Sequence, residues 1–132
     1  MIMEYDYKLR VRYADIDQMG IVYYSRYYEF FEAARTDMLR DIGLPYSDFE
    51  KMGYLMPVVE SHCQYKSGAQ FDQLINVRCI ISEIPKVKIK IEYEVTNIEN
   101  GTLLVHGYTV HAFLNNDKKP CRVPEEFLKI FK

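Results

Sequence analysis

One long amphipathic segment constrains the fold more than any other feature of this sequence. Apolar residues recur at helical spacing and predict a helix over residues 26–42, with a single stripe formed by Tyr27, Phe30, Phe31, Ala34, Met38 and Ile42. Ser25 occupies the expected N-cap position, and Gly43 and Pro45 mark the end. A helix of this length can serve as the central packing element of a small domain.

The remaining chain alternates with a period of two, which predicts β-strands. Strands are expected over residues 4–14, 55–66, 72–83, 86–97 and 102–114, with a loop from Pro45 to Gly53 and a short helical turn at 125–131. Asn100-Gly101 is typical of a hairpin turn. Because one helix must cover a five-stranded antiparallel sheet, we expect an α+β fold in which a curved sheet wraps around a long central helix. The outer face and the sheet edges then invite a second subunit.

Length and composition exclude several classes of protein. The 132 residues fit a single domain over 1–132, and 17 basic against 19 acidic residues lack the basic excess of a nucleic-acid-binding protein. No apolar run is about 20 residues long and no secretory signal is evident, so we expect no membrane insertion. Cys63, Cys79 and Cys121 are widely spaced, which indicates reduced thiols in a cytoplasmic protein rather than a disulfide framework or a zinc site.

The most informative motif is the run from Asp15 to Tyr27, DIDQMGIVYYSRY, between the first strand and the helix. It contains two carboxylates two residues apart, a glycine that breaks the strand, and the start of the helix. Free backbone N–H groups at a helix N-terminus favour developing negative charge. A carboxylate of this pair beside a free backbone amide at the helix start is therefore a candidate acyl-transfer site.

This run also resembles a known family. The sequence YADIDQMGIVYY over residues 13–24, followed by the helix, resembles the hot-dog-fold acyl-CoA thioesterases. It is most similar to the 4-hydroxybenzoyl-CoA thioesterase family, including the bacterial enzymes associated with the Tol–Pal system. Arg35, Gly43-Leu44-Pro45 and the strand from Val58 to Ser67 extend the resemblance to nearly the whole chain.

The resemblance implies a fold, an assembly and an activity. A long helix lies in an antiparallel hot-dog sheet, and two chains form a homodimer that often pairs into a homotetramer, with active sites at the subunit interface. The reaction is hydrolysis of an acyl-CoA thioester to the free acid and CoA, without a metal or other cofactor. Asp17 is then the catalytic carboxylate, as nucleophile or general base, and the Tyr24 backbone N–H polarises the thioester carbonyl.

Substrate-binding residues are expected around this motif and on two strands. Gly20 permits a positive φ or a close approach of substrate to the backbone, and Val22 follows it in the motif. Lys66 and Ser67 are assigned by the family layout to the CoA arm bound at the neighbouring subunit. Lys88 and Lys90 project from one strand face with Lys86, where they suit the CoA phosphates or, alternatively, form a solvated face that protects a sheet edge.

Several acidic and histidine residues are rivals of Asp17. Glu29 and Glu32 lie on the helix, where some hot-dog thioesterases carry a catalytic glutamate, but both also fit ordinary surface roles. Asp15 shares a strand parity with Asp17 if the strand extends that far, and a structural role in the turn is favoured. His62 is expected at a surface or interface. His106 and His111 differ in parity and do not form a ligand pair.

Two other functions remain open on the sequence alone. A hydrolase acting on acyl carrier protein thioesters would use the same phosphopantetheine arm. A non-catalytic acyl-CoA-binding protein would keep the fold without turnover, although the intact acidic motif argues against it. The identity and length of the acyl group, and the arrangement of the tetramer, are left undetermined by the sequence.

Overall fold

A single antiparallel sheet and one long helix dominate the computed structural model, which describes residues 2–131. Five strands are present: β1 (Met3–Arg10), β2 (Val58–Tyr65), β3 (Leu74–Ile81), β4 (Lys88–Asn97) and β5 (Leu103–Ala112). The helices are α1 (Arg26–Asp41), α2 (Tyr46–Lys51) and α3 (Glu125–Leu128). The strand order across the sheet is β1-β3-β4-β5-β2, which places the two strands that flank α1 in sequence at opposite edges.

The sheet curves around α1. Tyr5 of β1 donates a hydrogen bond to Asp37 of the helix, and Tyr65 of β2 lies against Tyr27 with ring centroids 5.8 Å apart. The two edges of a five-stranded sheet are about 19 Å apart along a flat surface. A helix is only about 10–12 Å wide with its side chains, so it can contact both edges only if the sheet bends towards it. The predicted α+β arrangement is confirmed.

The core lies between α1 and the concave face of the sheet. Phe31 stacks on Tyr93 of β4 with ring centroids 4.1 Å apart and planes 4° from parallel. The stripe predicted on the helix is largely buried, and alternate residues of the central strands face it: Ile75, Val77, Cys79, Ile89, Ile91, Tyr93 and Val95. Burial of these side chains supplies the main driving force for the fold.

The first strand is shorter than the predicted span of residues 4–14. It ends at Arg10 and is followed by a 3-10 turn at Tyr13–Asp15. The Asp15 carboxylate accepts a hydrogen bond from the Arg12 backbone N–H at 2.8 Å, and this bond closes a turn in place of further pairing. Asp15 and Asp17 would share a strand face only if β1 extended to them, and this condition is not met.

One further expectation is corrected by the topology. The segment from Pro45 to Gly53, expected as a loop, contains the short helix α2. Lys88 and Lys90 lie on the part of β4 that pairs with β5 alone, because the pairing of β4 with β3 begins at Glu92. The alternative that these lysines protect a sheet edge therefore stays open. The helical turn predicted near the C-terminus is present as α3 and a 3-10 turn at Lys129–Phe131.

Within the described residues, no helix combines the length and the apolar character that crossing a bilayer requires.

Close approach of β2 to β5 generates a stability prediction. A Cβ atom added at Gly107 would lie 2.3 Å from the backbone oxygen of His62, so Gly107→Ala must displace the edge strand. We expect the variant to lose about 1–3 kcal/mol of unfolding free energy in urea titrations. Leu103→Ala, at the exposed end of the same strand, serves as the control and should lose less. Equal losses in the two variants would contradict this reading.

Candidate active site

A buried carboxylate ties the end of β1 to the start of α1. The Asp15 side chain is 1% exposed and accepts hydrogen bonds from the Arg12 backbone N–H at 2.8 Å and from the Arg12 guanidinium at 3.1 Å. The Arg26 guanidinium lies 3.9 Å from the same carboxylate. The Asp15 carbonyl accepts from the Tyr23 N–H at 2.9 Å. The geometry agrees with the structural role favoured for Asp15.

Asp17 heads a tight turn between Asp15 and the helix. Its backbone N–H donates to the Ile21 carbonyl at 2.9 Å, and its own carbonyl accepts from the Gly20 N–H at 3.0 Å. One carboxylate oxygen accepts from the Met19 N–H at 2.8 Å, which orients the side chain. Gly20 has a φ of +82°, and a Cβ there would meet nothing within 4 Å. Its role is the positive φ rather than a close approach of protein atoms.

The helix begins with a short 3-10-like entry. Arg26, Tyr27 and Tyr28 donate to the carbonyls three residues earlier, at 2.9, 3.4 and 3.2 Å. Ser25 is at the N-cap position, as predicted, but its side chain makes no capping hydrogen bond. Within residues 2–131, the Tyr24 backbone N–H donates to no backbone carbonyl outside the regular elements. It is an available donor at the positive end of the helix dipole.

A pocket of about 300 Å³ joins the Asp17 turn to this helix start. Its far wall is the end of β2, where the Tyr65 hydroxyl donates to the Tyr24 carbonyl at 3.3 Å. Burial raises the pKa of Tyr65, so its phenol stays protonated. The lining residues are Asp17, Met19, Ile21, Val22, Tyr24, Tyr27, Tyr65, Lys66, Ser67 and Gly68.

The structure brings most of the predicted site residues together within one chain. Asp17, Val22, Tyr24, Lys66 and Ser67 all line the pocket, and Gly20 lies in the turn that holds Asp17. Lys66 and Ser67 thus lie beside Asp17 of their own chain, and their approach to a CoA arm bound at a neighbouring subunit stays a prediction.

Lys88 and Lys90 are elsewhere in the chain. They line a separate cavity of about 330 Å³ beside the loop from Ser82 to Pro85. Lys90 lies over the Tyr108 ring, 4.4 Å from its centroid, and 3.9 Å from a Glu92 carboxylate oxygen. A single chain therefore does not place these two lysines in the Asp17 pocket.

The rival residues are not part of the Asp17 pocket. Glu29 pairs with Arg26 at 3.0 Å on the helix surface. Glu32 lines two cavities further along the helix. His62 stacks on Tyr108 on the outer face of the sheet, with centroids 5.4 Å apart. The predicted difference in parity between His106 and His111 is observed, because only His111 is buried.

Sequence reasoning missed a buried chain of polar side chains beneath α1. The His111 Nδ1 atom is 3.0 Å from the Met56 carbonyl, which can only accept, so Nδ1 carries the proton. The other ring nitrogen then accepts from the Thr109 hydroxyl at 2.9 Å, and Thr109 accepts from the Tyr93 hydroxyl at 2.7 Å. Each hydrogen bond has one possible direction as long as His111 is neutral.

Burial lowers the pKa of His111 to about 4, and the positive charge of Arg35 lowers it further. Burial also raises the pKa of Tyr93 to about 12, an effect that Arg35 opposes. Both groups are therefore neutral at pH 7. The alternation of residues along β4 and β5 indicates that Tyr93 and His111 face the inside of the sheet. It contains no signal for the hydrogen bonds that these two side chains make.

Comparison with known proteins agrees with this architecture. The chain matches the family model of the thioesterase-like superfamily over residues 11–131. A Bacillus subtilis protein with the provisional name acyl-CoA thioesterase YneP is 35% identical over 94% of this chain and 87% of its own length. The acyl-CoA thioesterase YbgC of Haemophilus influenzae is 32% identical over 96% of this chain and 93% of its own length.

A solved structure supports the same relationship. A protein of Thermus thermophilus described as hypothetical, TT1821, superposes with a TM-score of 0.89 at 34% identity, covering 96% of each chain. The chain belongs to the thioesterase-like superfamily, and its fold is the hot dog. The predicted family and enzyme class, a thioester hydrolase, are confirmed.

The neutral state of His111 predicts an acid-sensitive stability. Its folded pKa is depressed, so unfolding takes up a proton below the ordinary pKa of about 6.5, and stability falls as the pH drops towards 4. We expect His111 to account for about 2 kcal/mol of the stability lost between pH 7 and 4.5, measured by urea unfolding. His111→Gln should lose less over this interval than the wild type.

The matched control is His62→Gln, which removes an exposed histidine and should retain the wild-type pH dependence. If His111→Gln lost as much stability with falling pH as the wild type, burial of a neutral imidazole would not explain the acid sensitivity.

Proposed function

We propose that this protein hydrolyses acyl-CoA thioesters to the free acid and CoA. The observation that carries the proposal is a single pocket lined by both Asp17 and Tyr24, whose backbone N–H is available at the start of α1. Developing negative charge on a thioester oxygen is stabilised by a preorganised N–H donor at a helix N-terminus. The relatives named acyl-CoA thioesterases support CoA as the thiol component.

Asp17 has two possible roles in this reaction. As a nucleophile, its oxygen attacks the carbonyl carbon and the C–S bond breaks, which releases CoA and leaves a mixed anhydride that water hydrolyses. As a general base, it takes a proton from water while the hydroxide attacks, and the proton then passes to the departing thiolate. In both routes the Tyr24 N–H donates to the same carbonyl oxygen.

The remaining site residues hold the substrate. The apolar side chain of Val22 and the turn at Gly20 enclose the thioester group. On the opposite wall of the pocket, Lys66 and Ser67 offer hydrogen-bond donors to the pantetheine arm. Lys88 and Lys90 are assigned to the CoA phosphates of a substrate bound at another subunit, because their own chain places them in a different cavity.

The proposed unit is a homodimer that pairs into a homotetramer. Strand β2 lies at one edge of the sheet and exposes Val58 and Val59 by 47% and 51%. An exposed apolar edge strand is a ready surface for pairing with a second chain. Because β2 ends in the wall of the Asp17 pocket, pairing there would place the partner beside the site.

We propose a cytoplasmic enzyme that needs no metal or other cofactor. Its association with the Tol–Pal system remains a prediction.

Replacing Asp17 with asparagine tests the assignment. The asparagine side chain would keep an oxygen that accepts from the Met19 N–H, so the turn should persist while the negative charge is lost. Thiol release from a panel of acyl-CoA esters should fall by about 10²–10⁴-fold, because a positioned acid or base typically contributes that factor.

Glu29→Gln and Glu32→Gln serve as comparison variants, because they remove the rival carboxylates. Wild-type turnover by Asp17→Asn, or a comparable loss in Glu29→Gln, would contradict the assignment. The same assay with acyl carrier protein esters separates the alternatives: faster carrier hydrolysis favours a carrier thioesterase, and CoA binding without turnover favours a non-catalytic acyl-CoA-binding protein.

A further inference from the structure

Arg35 lies beside the buried chain formed by Tyr93, Thr109 and His111. Its positive charge lowers the pKa of both Tyr93 and His111, and a hydrogen bond from Arg35 contributes to the effect on Tyr93. None of the ion pairs among residues 2–131 includes Arg35, although each of the other two arginines on α1 has a carboxylate partner. A half-buried guanidinium without a carboxylate retains donors for another group, and leaving them unused costs free energy.

The Arg35 side chain also borders empty space. Arg35 lines a cavity of about 320 Å³ with His111, Thr36 and Met56. It also lines a smaller cavity of about 230 Å³ with Tyr28, Ser61 and Thr109. Glu32 lines both cavities, so the two are neighbours along α1.

The cavities follow the helix away from the Asp17 pocket. Tyr24, Tyr28, Glu32 and Arg35 are spaced by four, four and three residues and so share one face of the helical segment. Arg35 is eleven residues beyond the amide donor, which corresponds to about 16 Å along the axis, and long helical side chains lean back towards the N-terminus. An acyl group bound at the Tyr24 amide would extend towards the Arg35 donors if it followed this face of the helix.

We propose that Arg35 binds an oxygen atom carried by the acyl group beyond the thioester, so that this protein prefers oxygen-bearing acyl chains to plain hydrocarbon chains. The inference rests on the proposed function. Hydroxyl and carboxylate oxygens both accept from a guanidinium. The Glu32 carboxylate favours a hydroxyl group on the substrate, because a hydroxyl can donate a hydrogen bond to it. A carboxylate on the substrate would instead be repelled by Glu32. His111, Thr109 and Tyr93 satisfy one another and keep the floor of the cavity neutral.

Three matched substrates test this proposal: octanoyl-CoA, 8-hydroxyoctanoyl-CoA and the mono-CoA ester of the eight-carbon dicarboxylic acid. For the wild type we expect kcat/KM to be at least about tenfold higher for one or both oxygen-bearing esters than for octanoyl-CoA, as a hydrogen bond to a charged group would give. Arg35→Met should abolish this ratio, and Arg35→Lys should restore part of it. Arg40→Met, at an exposed position on the same helix, should leave the ratio intact.

The role of Arg35 and the proposed function are contradicted by different outcomes. If the wild type hydrolyses all three esters with equal kcat/KM, or if Arg35→Met keeps the wild-type ratio, the role of Arg35 is wrong while the proposed function stands. If the wild type hydrolyses none of a broad acyl-CoA panel, both proposals are overturned. If Arg35→Met does not fold, the wild-type ratio tests the preference and Arg35→Lys tests the residue, because an unchanged ratio in Arg35→Lys contradicts the role of its guanidinium. The hydroxyl and carboxylate arms identify which oxygen is recognised.

Discussion

The candidate site depends on one buried carboxylate, that of Asp15. A charged group that is 1% exposed is costly unless its oxygens are hydrogen-bonded, and here the Arg12 backbone and guanidinium meet that requirement. Its own carbonyl holds Tyr23, so the end of β1 and the start of α1 are tied at a single residue. Because both ends of the loop are held at Asp15, the Asp17 turn is constrained to lie beside the first turn of α1.

Aromatic packing connects this loop to the sheet. The Tyr65 ring meets Tyr24 edge-on at 6.3 Å and lies 5.8 Å from the Tyr27 ring, while its hydroxyl bonds the Tyr24 carbonyl. The residues that follow, Lys66 and Ser67, both donate their backbone N–H groups to the Leu104 carbonyl. The pocket wall is thus an extension of the β2–β5 register, and the curvature of the sheet around α1 brings it to the helix N-terminus.

Period and spacing were sufficient to predict the element order, the helix and the inward faces of the central strands. They failed where a side chain forms a hydrogen bond with the backbone. The Asp15 carboxylate accepts from the Arg12 backbone N–H, and β1 ends before residue 14, which the alternation alone could not reveal. The motif also predicted which residues gather around Asp17, because most of them are near it in sequence. The alternation could not reveal that Lys88 and Lys90 lie in a different cavity from Asp17 of the same chain, because that depends on the strand order. Arg35 and His111 depend on contacts between elements distant in sequence.

A crystal structure with a CoA analogue in which a methylene group replaces the thioester sulfur would show this site with its ligand. We predict that the analogue's carbonyl oxygen accepts a hydrogen bond from the Tyr24 N–H at about 3 Å. We also predict that an Asp17 oxygen lies within about 3.5 Å of the carbonyl carbon, or one water molecule away. A carbonyl bound away from the start of α1, or out of reach of Asp17, would contradict the proposed site.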